Sequence, residues 1–336
     1  MSRRGQEEKP RWRDVPADVR ATAAHVLGSR VVRAERVFGG YAPSATFRMR
    51  LANGQRAFFK GSYPLPAGSV VQFKTDREEH VYRALGRRIA RWAPRFLGSF
   101  ERDGWHVLLL EDVGPATVPP WTPIRTRRAA HEYARFHRTT LGSRLPRWLP
   151  RDQHAHFGNY WHTLARAEDL GRVAALAGRT RRAAARWLES ALPALKRQEA
   201  RVRSIPPPFA LLHFDTRSDN VRLIGERFVM FDWPFACAGP AEFDVAAFAQ
   251  AVVAEGGPAP ERVLSWYEEV LPLRADALDA SIAGIAGYFA DRAWRPPMAG
   301  LPRLRSIQRR QLKATLAWAA RRLGLPEPGW LEAVPD

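Results

Sequence analysis

Apolar positions recur with two different periods along this chain, and the change of period divides it. A helical spacing over Ala17–Leu27, closing near Gly28, predicts a short helix. The period then falls to two. Arg30–Phe38, Ala45–Leu51 and Gln55–Gly61 read as strands of alternating character. Gly39–Gly40 punctuates the first pair. Asn53–Gly54 predicts a hairpin between the second and third, because both residue types tolerate positive φ. A loop rich in Gly and Pro follows (Ser62–Ser69), and Asp76–Ile89 then has the spacing of an amphipathic helix. Phe96–Phe100 and Trp105–Glu111 predict two more strands, with Asp103–Gly104 as their turn. The first third of the chain is thus five strands with one helix inserted after the third.

Beyond Gly114 the prolines at 115, 119, 120 and 123 mark a linker, and helical spacing takes over. Arg125–Leu141, Thr180–Val202, Ala241–Glu255, Pro260–Val270, Ala275–Trp294 and Ser306–Leu323 predict helices. One stretch interrupts them. Phe209–His213, Asn220–Ile224 and Arg227–Phe231 are short apolar runs separated by turns, and they predict short strands. The expected organisation is a loose charged tail (residues 1–16) and short helix within 1–29, a sheet domain over 30–113, and a mainly helical domain over 114–336. That is an α+β arrangement.

Composition narrows the function classes. With 336 residues and 46 % hydrophobic types, the chain is long enough to bury a core without disulfides. No run approaches the ~18 apolar residues of a membrane span, and no apolar core follows the N-terminal arginines, so neither a membrane partner nor a secretory signal is expected. The single cysteine, Cys237, fits a reducing cytoplasm. Net charge is +19, yet only five of the 53 basic residues are lysines. Residues 239–336 hold 11 basic and 12 acidic residues, so the excess lies upstream. The arginines are scattered and do not form a stripe, which reads as solvated helix faces, and no nucleic-acid partner is expected. A field that attracts an anionic nucleotide remains compatible.

The sharpest chemistry lies in Leu211–Val221, where His213, Asp215 and Asn220 have the spacing H-x-D-x-x-x-x-N. Eleven residues further on, a strand ends in Phe231-Asp232-Trp233. Strand, loop, hairpin and acidic residue form the layout of a kinase active site. Phosphoryl transfer moves charge onto oxygen, so it needs positioning, metal ions and a carboxylate to take the attacking hydroxyl's proton. Asp215 supplies that carboxylate. Asn220 and Asp232 supply the oxygen ligands that Mg²⁺ prefers.

These motifs resemble those of the aminoglycoside phosphotransferase and choline kinase-like family, small-molecule kinases with a protein-kinase-like, two-lobed fold. The family's catalytic loop is similar to His213-Phe214-Asp215…Asn220, and its second metal motif to Asp232-Trp233. Its downstream G-D-P-x-x-D-L-A is matched by Gly239-Pro-Ala-Glu-Phe-Asp-Val-Ala246, with Asp244 on the last aspartate and the first one absent. The resemblance implies a structural role for Asp244, and helix capping suits it physically. It also implies that Phe38–Thr46, with Gly39, Gly40 and Ser44, covers the nucleotide phosphates. Lys60 would grip those phosphates, with Glu78, rather than Glu79, as its ion-pair partner. Glu111 to Val113 would form the hinge that binds the adenine edge. The resemblance spans roughly residues 30–255 and implies an ATP- and Mg²⁺-dependent kinase acting on a hydroxyl of a small molecule: an aminoglycoside-like antibiotic, an amino alcohol or a sugar. The alternative is a catalytically silent, kinase-like regulator.

Plainer readings stand beside these. His213 is expected to support the loop. Arg217 either touches phosphate or is one more solvated arginine. His154, His156 and His162 with Asp152 lack the spacing of a zinc site and suit a substrate-facing loop. Trp161 and Trp294 are expected in the core or at a substrate pocket. Glu268, Glu269, Asp276, Asp279 and Asp291 are available to a cationic acceptor, although acids on amphipathic helices are usually solvated.

Overall fold

A computed structural model describes residues 9–38, 44–65, 75–298 and 301–336. In chain order the elements are α1 (Ala17–Val26), β1 (Val31–Arg36), β2 (Ala45–Leu51), β3 (Arg56–Ser62), α2 (Asp76–Ile89), β4 (Phe96–Arg102), β5 (Trp105–Glu111), α3 (Pro123–Thr140), α4 (Tyr160–Arg166), α5 (Leu170–Ala175) and α6 (Arg181–Arg201). Then follow β6 (Ala210–Leu212), β7 (Val221–Ile224), β8 (Arg227–Met230), β9 (Cys237–Gly239), α7 (Ala241–Ala254), α8 (Pro260–Glu268), α9 (Ala275–Ala293) and α10 (Leu304–Arg322). Among the described residues no helix is long and apolar enough to cross a membrane.

The chain forms two compact units. The first holds the antiparallel sheet β1-β2-β3-β5-β4. Strand alternation gives the sheet two faces. Phe47, Met49, Ala57, Phe59, Val107 and Leu109 point to one side and form a core with Val15, Val19 and Ala23 of the N-terminal segment. Lys60 and Leu108 are cross-strand partners on the opposite side. The β2–β3 turn is a three-residue loop, with Gly54 NH donating to Leu51 O and Leu51 NH to Gln55 O. Only Gly54 has positive φ there (+84°), so the Asn-Gly signal holds while the turn is longer than a two-residue one.

Residues 9–16 are not the loose tail that their charge suggests. Trp12 packs edge-on against Phe47 and Phe59, with ring centroids 5.1 and 5.4 Å away. Lys9 is buried and donates to Thr46 Oγ1 at 2.8 Å. Arg36 Nη1 in turn donates to the Lys9 carbonyl. One aromatic and one satisfied ammonium hold down a segment with almost no apolar pattern.

The β7–β8 hairpin lies in the same unit as the sheet, although chain order assigned it to the helical domain. Its contacts explain this. Met230 NH donates to Trp92 O, Leu223 NH to Thr117 Oγ1, and Arg227 to the Glu111 carboxylate.

The second unit comprises Val118–Ser218, Ala236–Pro296 and Leu304–Asp336. Thr122 caps α3 by accepting from Arg125 NH, and Pro123 opens the helix where its missing N–H costs nothing. α7 and α9 are buried on nearly every side, which explains their weak amphipathicity. In α9 a methyl at Gly287 would lie about 3.0 Å from Trp161 and Tyr160, so α4 can approach only because this residue has no side chain. The short strands β6 and β9 pair antiparallel. β9 had no sequence signal, since three residues ending in Gly carry no period.

Candidate active site

In the first unit the candidate residues converge on Lys60. Its Nζ donates to Glu78 Oε2 at 2.5 Å and to Asp232 Oδ1 at 2.7 Å. Each partner arrives for a local reason. Lys60 sits on β3, on the face opposite the Phe47–Phe59 core. Glu78 lies on the buried stripe of α2 with Val81, Tyr82, Leu85 and Ile89. Glu79 is rotated about 100° from it and binds Arg83, Ser99 and His106 instead. Asp232 follows β8 with φ +70°, a strained value for a non-glycine residue. The hairpin brings Asn220 to the same end: Val221 pairs with Met230, and Phe231 NH donates to Asn220 O at 3.0 Å.

The electrostatics follow from burial. Burial lowers the Lys60 pKa, but Asp232 and Glu78 overcome it, and the ammonium is held well above its ordinary range. Burial pushes the Glu78 carboxyl up, against the pull of Lys60. Glu78 is 1 % exposed and Asp232 34 % exposed, so one carboxylate anchors the lysine while the other faces solvent. Among the described residues no three His, Cys, Asp or Glu side chains gather as a metal site. The half-exposed Asp232 carboxylate and the neighbouring Asn220 fit a Mg²⁺ ion completed by substrate phosphates, since Mg²⁺ usually takes only one or two protein carboxylates.

The hinge candidates divide. The Glu111 carboxylate is bound by Arg227 at 2.7 Å and by Arg95 NH at 3.1 Å, and Glu111 NH donates to Arg95 O. Asp112 closes a turn by accepting from Gly114 NH, and Arg48 donates to Gly114 O. Val113 lies between these fixed points and its backbone makes no hydrogen bond among the described residues. Ser44 is buried at the start of β2. Gly39 and Gly40 lie outside the described residues.

In the second unit, β6 leads into His213-Phe214-Asp215. Asp244 organises this turn. Fully buried, it accepts from His213 NH at 2.8 Å and Phe214 NH at 2.9 Å, and contacts His137 Nε2 at 3.2 Å. It therefore does not cap its own helix as expected: Pro240 occupies the N-cap, and the carboxylate reaches back to the loop. Burial pushes its pKa up, but the bonds from His137 and Tyr133 hold it below the ordinary carboxylate value. The buried His213 ring accepts from Asp215 NH through Nδ1 at 3.4 Å. Phe214, at φ +70°, stacks on Phe243. Tyr133 bonds the Thr216 hydroxyl. Glu255 accepts from Ser218 Oγ at 2.6 Å and from Trp121 Nε1 at 2.7 Å. Arg217 clasps both Asp215 oxygens, at 2.8 and 3.0 Å.

Residues 44–279 match the model of the phosphotransferase enzyme family, APH, well over half of the chain. The chain belongs to the phosphotransferase enzyme family. Solved structures share its fold at low identity. A protein from Thermobifida fusca YX-ER1 assigned as a fructosamine-3-kinase is 22 % identical over 89 % of this chain and 98 % of its own, with TM-score 0.54. A spectinomycin phosphotransferase in complex with ADP and spectinomycin is 13 % identical over 94 % and 96 %, with TM-score 0.57. An amicoumacin kinase in complex with AMP-PNP, Ca²⁺ and Ami is 11 % identical over 90 % and 93 %, also with TM-score 0.57. No curated protein matches the chain. The fold is that of the protein-kinase-like small-molecule kinases.

Within this phosphotransferase, Trp161 takes the core position expected of it, whereas His154 lies in the core and not on a substrate-facing loop. Trp161 is fully buried and donates to Ala283 O. Trp294 is flanked by Arg172 and Arg295, 4.9 and 5.2 Å from its ring. His154 is buried edge-on against Phe209 and His162 binds Glu199. Cys237 is buried in β9. Sequence reasoning missed Glu255, Tyr133 and His137 as supports of the loop from His213 to Asn220. Tyr133 and His137 lie on α3 and Glu255 just past the end of α7, and no local pattern marks a side chain whose partner is more than 30 positions away.

Proposed function

We propose that this phosphotransferase moves the γ-phosphoryl group of a purine nucleoside triphosphate, ATP, to a hydroxyl of a small molecule. The observation that carries the reading is Lys60 held between buried Glu78 and half-exposed Asp232. Such an ammonium stays charged at neutral pH and is aimed by the anchoring carboxylate, which is what a phosphate grip requires. The unbonded backbone of Val113 supports its assignment to the base edge. Asn220 and Asp232 would hold Mg²⁺, which when bound neutralises charge on the phosphate oxygens. Asp215 would take the proton as the acceptor's O–H bond breaks. The acceptor oxygen then bonds to the γ-phosphorus and the bond to the nucleoside diphosphate breaks. A lone, buried thiol suits work in a reducing cytoplasm.

The test is a nucleotide-consumption screen over hydroxyl compounds, with the phosphorylated product detected by mass. Asp215→Asn is expected to lower turnover by ~10²–10⁴-fold while nucleotide binding survives. Full turnover by this variant on a verified acceptor would remove Asp215 from its role.

A further inference from the structure

The surroundings of Asp215 in the second unit are cationic and aromatic. Tyr288 on α9 lies 5.1 Å, ring to ring, from Phe157, which in turn meets the ring of Phe214 at 5.8 Å, next to Asp215 and the Arg217 that clasps it. The Arg292 guanidinium carbon is 5.6 Å from the Tyr288 ring centroid. The rings of Tyr160 and Tyr288 meet edge-on at 5.4 Å, an approach that Gly287 permits. These arginines and tyrosines are only partly buried, so a ligand can reach them.

Of the five acids that the sequence offers to a cationic acceptor, four are engaged. Asp291 is 4 % exposed and bound by Arg295 at 2.7 Å, with Arg292 at 3.4 Å. Glu269 pairs with Arg127, Asp276 with Arg201 and Asp279 with Arg322. None of these acids is left for an ammonium group. A polycationic acceptor would meet guanidinium groups at the mouth of the catalytic loop, and like charges at short range repel.

We propose that the acceptor is an anionic hydroxy compound, carrying a carboxylate or a phosphate, which Arg292 grips while Tyr160 and Tyr288 flank it and its hydroxyl faces Asp215. The proposal rests on the kinase reading for the role of Asp215. Guanidinium groups suit both anions, because their paired N–H donors match carboxylate and phosphate oxygens.

Binding is measured without nucleotide, by calorimetry and thermal melts, using glycerate, glycerol 3-phosphate, glycerol and choline at fixed ionic strength. Either anion or both should bind, and which one binds tells carboxylate from phosphate. Glycerol and choline should not. Arg292→Gln should weaken anion binding by about ten- to a hundredfold, as expected for losing one charge-assisted contact, and Arg292→Lys should restore part of it. Ligand-free melts of both variants control for folding. Choline binding more tightly than the anions, no binding of either anion, or unchanged anion binding in Arg292→Gln would each overturn the proposal. Mg·ATP is run on the same plate. Protection by Mg·ATP without an anion response sinks this inference alone, whereas its absence sinks the kinase reading and leaves the anion result standing.

Discussion

Replacing Asp244 tests how the loop that carries Asp215 is held. Its carboxylate is fully buried and accepts two backbone N–H bonds, from His213 and Phe214, besides contacting His137. A hydrogen bond to a charged group contributes about 1.5–3 kcal/mol, and a buried donor stripped of its partner keeps its desolvation cost. Asp244→Ala strands both amides and removes the partner of His137, so a loss of about 3–5 kcal/mol is expected, as for other broken buried pairs. That is a large share of the ~5–15 kcal/mol by which domains are stable. Asp244→Asn keeps one acceptor oxygen but turns an NH₂ toward the other donor, and should lose about half as much. The sign with pH follows from the depressed pKa of Asp244. Its contribution is full above the unfolded carboxyl pKa and disappears as pH falls through the folded one, so wild type should show an acid-sensitive component that Asp244→Asn lacks. Urea unfolding measures the loss, and hydrogen exchange of the His213 and Phe214 amides locates it. A loss below about 1 kcal/mol in Asp244→Ala, or unchanged exchange at those amides, would refute this account of the loop.

Two further outcomes are expected. ATP with Mg²⁺ should raise the melting temperature more than either alone, because the ion is completed by the phosphates. Asp232→Ala should remove most of that extra shift and leave the ATP-only shift intact or larger, since a carboxylate that repels phosphate is gone; four-condition melts of both proteins decide it, and a wild type without metal-dependent gain would favour the silent scaffold. His154 is 3 % exposed, and burial pushes its pKa from 6.5 to about 4. The folded state therefore resists protonation, and stability should fall by up to ~3 kcal/mol as pH drops from above 6.5 toward 4. Urea midpoints at pH 7 and pH 4.5 should differ less in His154→Asn than in wild type, and equal slopes would show that the imidazole is not the cause.

Period and punctuation in the sequence were enough for most of the elements that hold the candidate site residues. Strands of period two, the Gly54 and Gly104 turns and the amphipathic stripe of α2 are local features, and local steric rules specify them. The spacing of His213, Asp215, Asn220 and Asp232 was equally legible, because it lies within twenty residues of chain. The choice of Glu78 over Glu79 came from the family resemblance, while helix geometry said only that one of two adjacent residues can face the sheet. Tertiary structure decided the rest. It seated residues 9–16 through Trp12 and Lys9, whose partners on β2 and β3 are distant in sequence. It turned Asp244 away from its own helix, because two buried amides of the loop needed a charged acceptor more than α7 needed a cap. It also matched Glu269, Asp276, Asp279 and Asp291 with arginines. Burial and pairing across long sequence separations depend on which surfaces meet. A chain with 48 arginines among 336 residues cannot show in advance which of them will find a carboxylate.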